Sequence, residues 1–175
     1  FILTQLRAGH QCYIVCPHVT ENKRKTSNSG ECTTVEEEIS RVESIFSEYG
    51  YKSGVLTGKM KESQKDKVIQ AFKNNDTQLL IATTIVEVGV NTPNATVIMI
   101  RDAERYGLAQ LHQLRGRVGR GSLQSYCMLI SSDTANPRLA VMCKTNDGFK
   151  IAEEDLKLRG TGDLTGVRQS GTDYK

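Results

Sequence analysis

The chain has 175 residues, a quarter of them charged, and a net charge of only +3. That length suits one domain with a sizeable core, and the small charge means that any nucleic-acid partner must be met by local patches. No apolar run approaches membrane-spanning length, no signal peptide opens the sequence, and the five cysteines (Cys12, Cys16, Cys32, Cys127, Cys143) contain no C-x-x-C pair and no usual zinc-ligand spacing.

Phe1 is not an initiator methionine, and Leu3 to Gly9 reads as the end of a helix with its terminal glycine, so a piece of a larger protein is expected. Cys12 to Cys16 is a short apolar run before Pro17, hence a buried strand. Cys12, Cys16 and Cys127 sit in such runs and are expected as buried reduced thiols, with a reducing cytoplasm the simplest home. Residues 18–33 are polar and read as a loop; its Asn22-Lys-Arg-Lys25 run is either a solvated insertion or a DNA contact. Thr34 and Glu37 form a capping-box pattern, after which Val35, Ile39, Val42, Phe46 and Tyr49 recur as one helical stripe closed by Gly50.

Gly54 to Gly58 reads as a second strand and turn, and Lys61 to Asn75 as a helix with Val68, Ile69 and Phe72 inward. Leu79–Ala82, Ala95–Ile100 and Ser125–Ile130 are three further strands. Short apolar strands alternating with amphipathic helices predict a mostly parallel α/β sheet covered on both faces. Asn136–Lys144 and Phe149–Leu158 then read as a helical hairpin turning at Asn146-Asp-Gly148, followed by an irregular Gly/Thr/Ser-rich tail. The expected division is residues 1–133 for the sheet domain and 134–175 for the hairpin and its following loop.

The densest chemistry lies in Gln110 to Gly121. Gln110, Gln113, Arg117 and Arg120 recur at spacings of three, four and three, which on a helix places them on one face. Leu111, Leu114 and Val118 can anchor the segment, and Gly116, Gly119 and Gly121 end the helix and clear side chains from around the arginines. Two guanidinium forks from one turn suit a bound phosphate. The segment resembles the Q-x-x-G-R-x-G-R pattern (motif VI) of superfamily 2 helicases, which implies that the arginines reach nucleotide phosphates.

Ligands of open parallel sheets bind beyond the carboxyl ends of the strands. Three elements fall there: Thr57 to Met60, Ala82 to Pro93, and the arginine segment. Thr83 and Thr84 offer hydroxyls, and Gly89 lets backbone approach a ligand closely. Gly58-Lys59 imitates a phosphate loop, but Ser53 replaces its first glycine and Met60 its hydroxyl residue, and no Asp-Glu dipeptide occurs to hold magnesium. The sequence carries the arginine half of an ATP site.

Across essentially its whole length the sequence is similar to the second RecA-like motor domain of the RecG branched-DNA helicase family. Thr83 to Pro93 resembles the family's motif V. Asn146 to Gly160 with Arg168 to Gly171 resembles its translocation hairpin and loop, in the Asn-Asp-Gly-Phe form nearer to RecG than to the transcription-repair coupling factors. The resemblance implies a RecA-like P-loop NTPase-type fold. It also implies ATP and Mg2+ bound mainly by a preceding RecA-like domain, with Arg117 and Arg120 as arginine fingers. Gln113, Gly89 and Asn91 lie toward the nucleotide, and Gly58, Lys59, Thr83 and Thr84 toward the DNA backbone. Arg138, Arg159 and Gln169 couple hydrolysis to movement on branched DNA. Asn91 replaces the usual aspartate, Thr57 a common histidine, and Thr161 the proline usual after Arg-Gly. The implied partners are branched DNA and the upstream motor and wedge domains of the same protein, in the bacterial cytoplasm. A transcription-repair coupling translocase and a non-motor module gripping DNA phosphates are the alternatives.

Overall fold

In a computed structural model, which describes residues 1–17, 33–83 and 92–159, the apolar runs form a parallel sheet in the order β2-β3-β1-β4-β5. The strands are β1 (Gln11–Val15), β2 (Ser53–Leu56), β3 (Leu79–Ala82), β4 (Ala95–Ile100) and β5 (Tyr126–Leu129). Central β1 pairs with β3 on one side and β4 on the other, which sets Ile14 opposite both Ile81 and Met99. The helices are α1 (Ile2–Arg7), α2 (Val35–Phe46), α3 (Glu62–Lys73), α4 (Leu108–Arg115), α5 (Pro137–Lys144) and α6 (Gly148–Arg159). The polar segment 18–32 lies outside the described residues.

Successive strand residues point to opposite faces, and both faces of the central strands β1, β3 and β4 are buried. Cys12, Ile14, Leu79 and Ile81 pack against Leu6 of α1 and Val42 and Phe46 of α2. Tyr13, Leu80 and Ile98 pack against Phe72 of α3 and Leu111 and Leu114 of α4. Leu139, Met142 and Ile151 of the α5–α6 hairpin join this second cluster, so the hairpin is seated on the sheet domain's own core. Cys12 and Cys16 are buried as expected; Cys127 is half-buried and burial pushes its thiol up to about 11, while Cys143 is exposed.

Local hydrogen bonding sets the helix starts. The Thr34 hydroxyl accepts from Glu37 N–H at 3.2 Å, and the Glu37 carboxylate accepts from Thr34 N–H at 2.9 Å. The polar staple at the start of β1 has no such local signature. Gln11 is buried, and its amide donates to the carbonyls of Phe72 (2.6 Å) and Thr77 (2.9 Å), tying the central strand to the end of α3.

The expected α2 stripe is buried at Val35, Val42 and Phe46 but not at Tyr49. The helix tightens into a 3-10 turn over Ser47–Tyr49, leaving the Tyr49 ring 51% exposed, with the Arg7 guanidinium 5.6 Å from its centroid. Glu38 instead turns inward and is only 1% exposed. Its Oε2 lies 3.3 Å from Arg101 Nε, at the end of β4, an ion pair without directed hydrogen-bond geometry, and 3.8 Å from Arg41 Nε. Removing one partner of a buried pair strands the other charge. Arg101→Ala is therefore expected to lower unfolding free energy by about 3 kcal/mol in urea denaturation; a loss below about 1 kcal/mol would match an exposed pair instead.

Candidate nucleotide and DNA interface

The arginine segment is only partly helical. Helix α4 stops at Arg115, so Gln110 and Gln113 lie on it while Arg117 and Arg120 lie on the turn beyond, which corrects the single helical face expected for all four. Gly116 caps the helix, its N–H bonded to His112 O at 3.0 Å, and Arg117 N–H bonds to Leu114 O at 3.0 Å. Gly119 then takes φ +77, a left-handed conformation that ends any helical continuation. Arg120 folds back to donate from Nε to Gly116 O at 3.0 Å, adding positive charge where the helix dipole is negative. Val118 between the arginines is buried and holds the turn to the core. Gln110 is spent on the helix start, accepting from Gly107 N–H at 3.2 Å, whereas Gln113 is exposed.

Beside this turn lies a residue that the sequence offered no reason to single out. Tyr13, in the centre of β1, is fully buried against Phe72, with ring centroids 5.1 Å apart. Burial raises its phenol above the usual value, opposed first by the Thr92 hydroxyl and then by the positive charges of Arg120 and Arg117. Both arginines therefore act on the ring of the central strand. The Tyr13 and Thr92 hydroxyls are buried, and neither completes a directed hydrogen bond among the described residues.

The arginine turn lies by the amino ends of β4 and β5, with Gly119 against Ser125 and Gly121 against Pro93. This corrects the expectation that it falls beyond the carboxyl ends of the strands. The DNA-side candidates lie at the carboxyl ends of β2 and β3. Residues 57–60 turn tightly after β2, with Met60 N–H bonded to Thr57 O at 3.2 Å, and present Gly58 and Lys59 to solvent. No atom lies within 4 Å of a Cβ placed on Gly58, so a ligand backbone can approach it. Thr83 follows β3 directly, its N–H bonded to Leu56 O at 3.2 Å, and its hydroxyl is buried without a partner among the described residues. Lys59 and Thr83 thus come from the ends of adjacent strands. Thr84, Gly89, Asn91 and Gln169 lie outside the described residues.

The expected hairpin is present. Asn136 caps α5, accepting from the backbone N–H of Arg138 at 3.1 Å, and the Arg138 side chain is exposed. Arg159 is placed by its backbone as the last residue of α6. The two helices, joined by residues 145–147, pack against each other and against α4. Arg115, which the sequence pattern left unassigned, is bonded to the hairpin. Its Nη1 donates to Met142 O at 3.0 Å and to Thr145 O at 2.8 Å.

The parallel sheet in the order β2-β3-β1-β4-β5, covered by helices, has the RecA-like fold of a helicase C-terminal domain. The helicase conserved C-terminal domain family matches residues 2–122, and the chain belongs to that family. Residues 145–175 match domain 3, C-terminal, of the ATP-dependent DNA helicase RecG. The chain is 47% identical over 171 residues to the ATP-dependent DNA helicase RecG of Staphylococcus epidermidis, covering 95% of this chain and 24% of that protein. It is 45% identical over 175 residues to the RecG of Bacillus subtilis, covering 98% of this chain and 25% of that protein. The structure of RecG bound to a three-way DNA junction superposes with a TM-score of 0.71 at 37% identity, over 94% of this chain and 21% of that one. The expected RecA-like fold and the likeness to RecG both hold, and the chain spans about a quarter of the length of these relatives.

The turn that sets the two arginines depends on Gly119. A Cβ there would lie 2.5 Å from Ser125 Oγ, in addition to the positive φ. Gly119→Ala is expected to cost about 2 kcal/mol in denaturant unfolding, from left-handed strain and overlap together. Adding Ser125→Ala should recover only the overlap share, because the backbone strain persists. Full recovery in the double variant would show that the φ angle costs nothing.

Proposed function

We propose that the chain is the second motor domain and translocation hairpin of an ATP-dependent helicase that remodels branched DNA. Residues 1–133 form the motor and residues 134–175 the hairpin and following loop. The observation that carries this is the succession, in one chain, of the arginine turn beyond α4 and a RecG-type segment over residues 145–175. That segment favours RecG over a transcription-repair coupling translocase. The bacterial relatives favour a cytoplasmic site of action.

The donor chemistry fits a nucleotide phosphate. Arg117 and Arg120 carry donors only and remain charged, and the buried Val118 between them fixes their turn. ATP supplies the driving free energy when its terminal phosphoryl group is transferred to water. Arg117 and Arg120 face the phosphates and stabilise the charge developing on that group, and Gln113, Gly89 and Asn91 face the nucleotide. The upstream RecA-like domain holds the remaining phosphate contacts and Mg2+. Gly58, Lys59, Thr83 and Thr84 grip the DNA backbone without regard to sequence, in a salt-sensitive manner. Arg138, Arg159 and Gln169 pass domain closure to the DNA at a fork or Holliday junction, where the wedge domain parts the strands.

In the full-length protein with forked DNA, Arg120→Ala should lower ATP turnover roughly a thousandfold, the scale of an arginine finger. Turnover within a few-fold of normal would remove the finger assignment and favour a non-motor DNA-binding module. Gln169→Ala should preserve ATP turnover while strand separation falls. A parallel fall in both measurements would sink its coupling role.

A further inference from the structure

We propose that Arg115, seated on His112, is a positioning residue that fixes the helical hairpin to the arginine turn so that the two move as one body. Position 115 is one of the unspecified places in Q-x-x-G-R-x-G-R, so the phosphate-binding pattern gives it no task. Its task lies on the hairpin side. Helix α5 ends at Thr145 in extended backbone (φ −142, ψ 146), without a left-handed glycine to fold the chain back over its last carbonyls. Arg115 Nη1 supplies the donors, at 3.0 Å to Met142 O and 2.8 Å to Thr145 O. It brings a fixed positive charge to the negative end of that helix.

The same guanidinium is oriented from the other side. Arg115 Nη2 lies 3.1 Å from His112 Nδ1. A guanidinium has no acceptor, so the imidazole accepts there and carries its proton on Nε2. That Nε2 faces the first residue of α6, where a Cβ on Gly148 would stand only 3.0 Å away. Two residues of α4, three apart, thus seat the last turn of α5 and the first turn of α6. The link between those turns is itself bonded, Asp147 N–H to Thr145 Oγ1 at 3.1 Å and Phe149 N–H to Asp147 Oδ1 at 2.9 Å. On the nucleotide side Arg115 adjoins Gly116, whose carbonyl is held by Arg120. An unbroken path of backbone and charge-assisted hydrogen bonds therefore runs from Arg120 to the hairpin turn.

This inference rests on the motor reading, and the two can fail separately. If the unsubstituted full-length protein shows no DNA-stimulated ATP turnover, the motor reading falls. The clamp is judged on strand separation per ATP hydrolysed, and on amide hydrogen exchange across residues 139–151. In Arg115→Gln the ratio is expected to fall about tenfold and exchange to rise about tenfold, the factor carried by one charge-assisted hydrogen bond. ATP turnover should stay within about threefold of normal. Arg115→Lys keeps the charge but not the fork, and should recover part of both changes. Gly148→Ala, which leaves Arg115 in place but presses on His112, should lower the ratio in the same direction. The proposal is overturned if Arg115→Gln leaves hairpin exchange unchanged. It is also overturned if separation and turnover fall in equal proportion in both Arg115→Gln and Gly148→Ala.

Discussion

The helix stop at Gly116 and the left-handed turn at Gly119 are the constraint on which the rest of the site depends. A helix continued through residue 121 would rise 1.5 Å per residue and carry both arginines away along its axis. The chain instead reverses, and Arg120 comes back onto the carbonyl of Gly116. The turn is held from both flanks. Leu111 and Leu114 anchor α4 before it, Val118 is buried within it, and Ser125 stands where a Gly119 side chain would have to go. Two guanidinium groups that repel one another in an extended segment are thereby kept together beside the central strand, where both act on the Tyr13 phenol.

Much of the fold was legible because it is governed by local or periodic features. The central strands β1, β3 and β4 are buried on both faces, so each appears as a nearly continuous apolar run, and the capping box of α2 closes within four residues. The α5–α6 hairpin was legible from its turn residues. What failed were features settled by distant partners. Gln11 reads as a polar residue flanking a strand, yet its bonds go to the carbonyls of Phe72 and Thr77. Glu38 lies beside an expected apolar stripe of α2 and is drawn inward by Arg101, just past the end of β4. The single helical face assigned to Gln110, Gln113, Arg117 and Arg120 failed for another reason: the spacing of the side chains is helical, but the glycines among them set the backbone. Tyr13 was hidden by context, since a tyrosine in an apolar run is indistinguishable from core until its neighbours are known.

Arg115 shows why a packed interface still needs a directed contact. Leu139, Met142 and Ile151 bury the hairpin's inner face in the same cluster as Leu111 and Leu114, whereas Phe149 on the outside is 90% exposed. Burying three such side chains stabilises the seat by on the order of 5 kcal/mol, so the hairpin rarely leaves it thermally. Apolar burial is non-directional, however, and it opposes separation far more than sliding or rotation. A force arriving from the arginine turn could be absorbed by slippage along the apolar seam. Two carbonyls gripped by one rigid guanidinium, itself abutting the residue that caps α4, resist that slippage because the bonds weaken steeply with angle. In this arrangement packing supplies the strength of the seat and Arg115 its register. An element that is to follow the arginine turn without lag needs both.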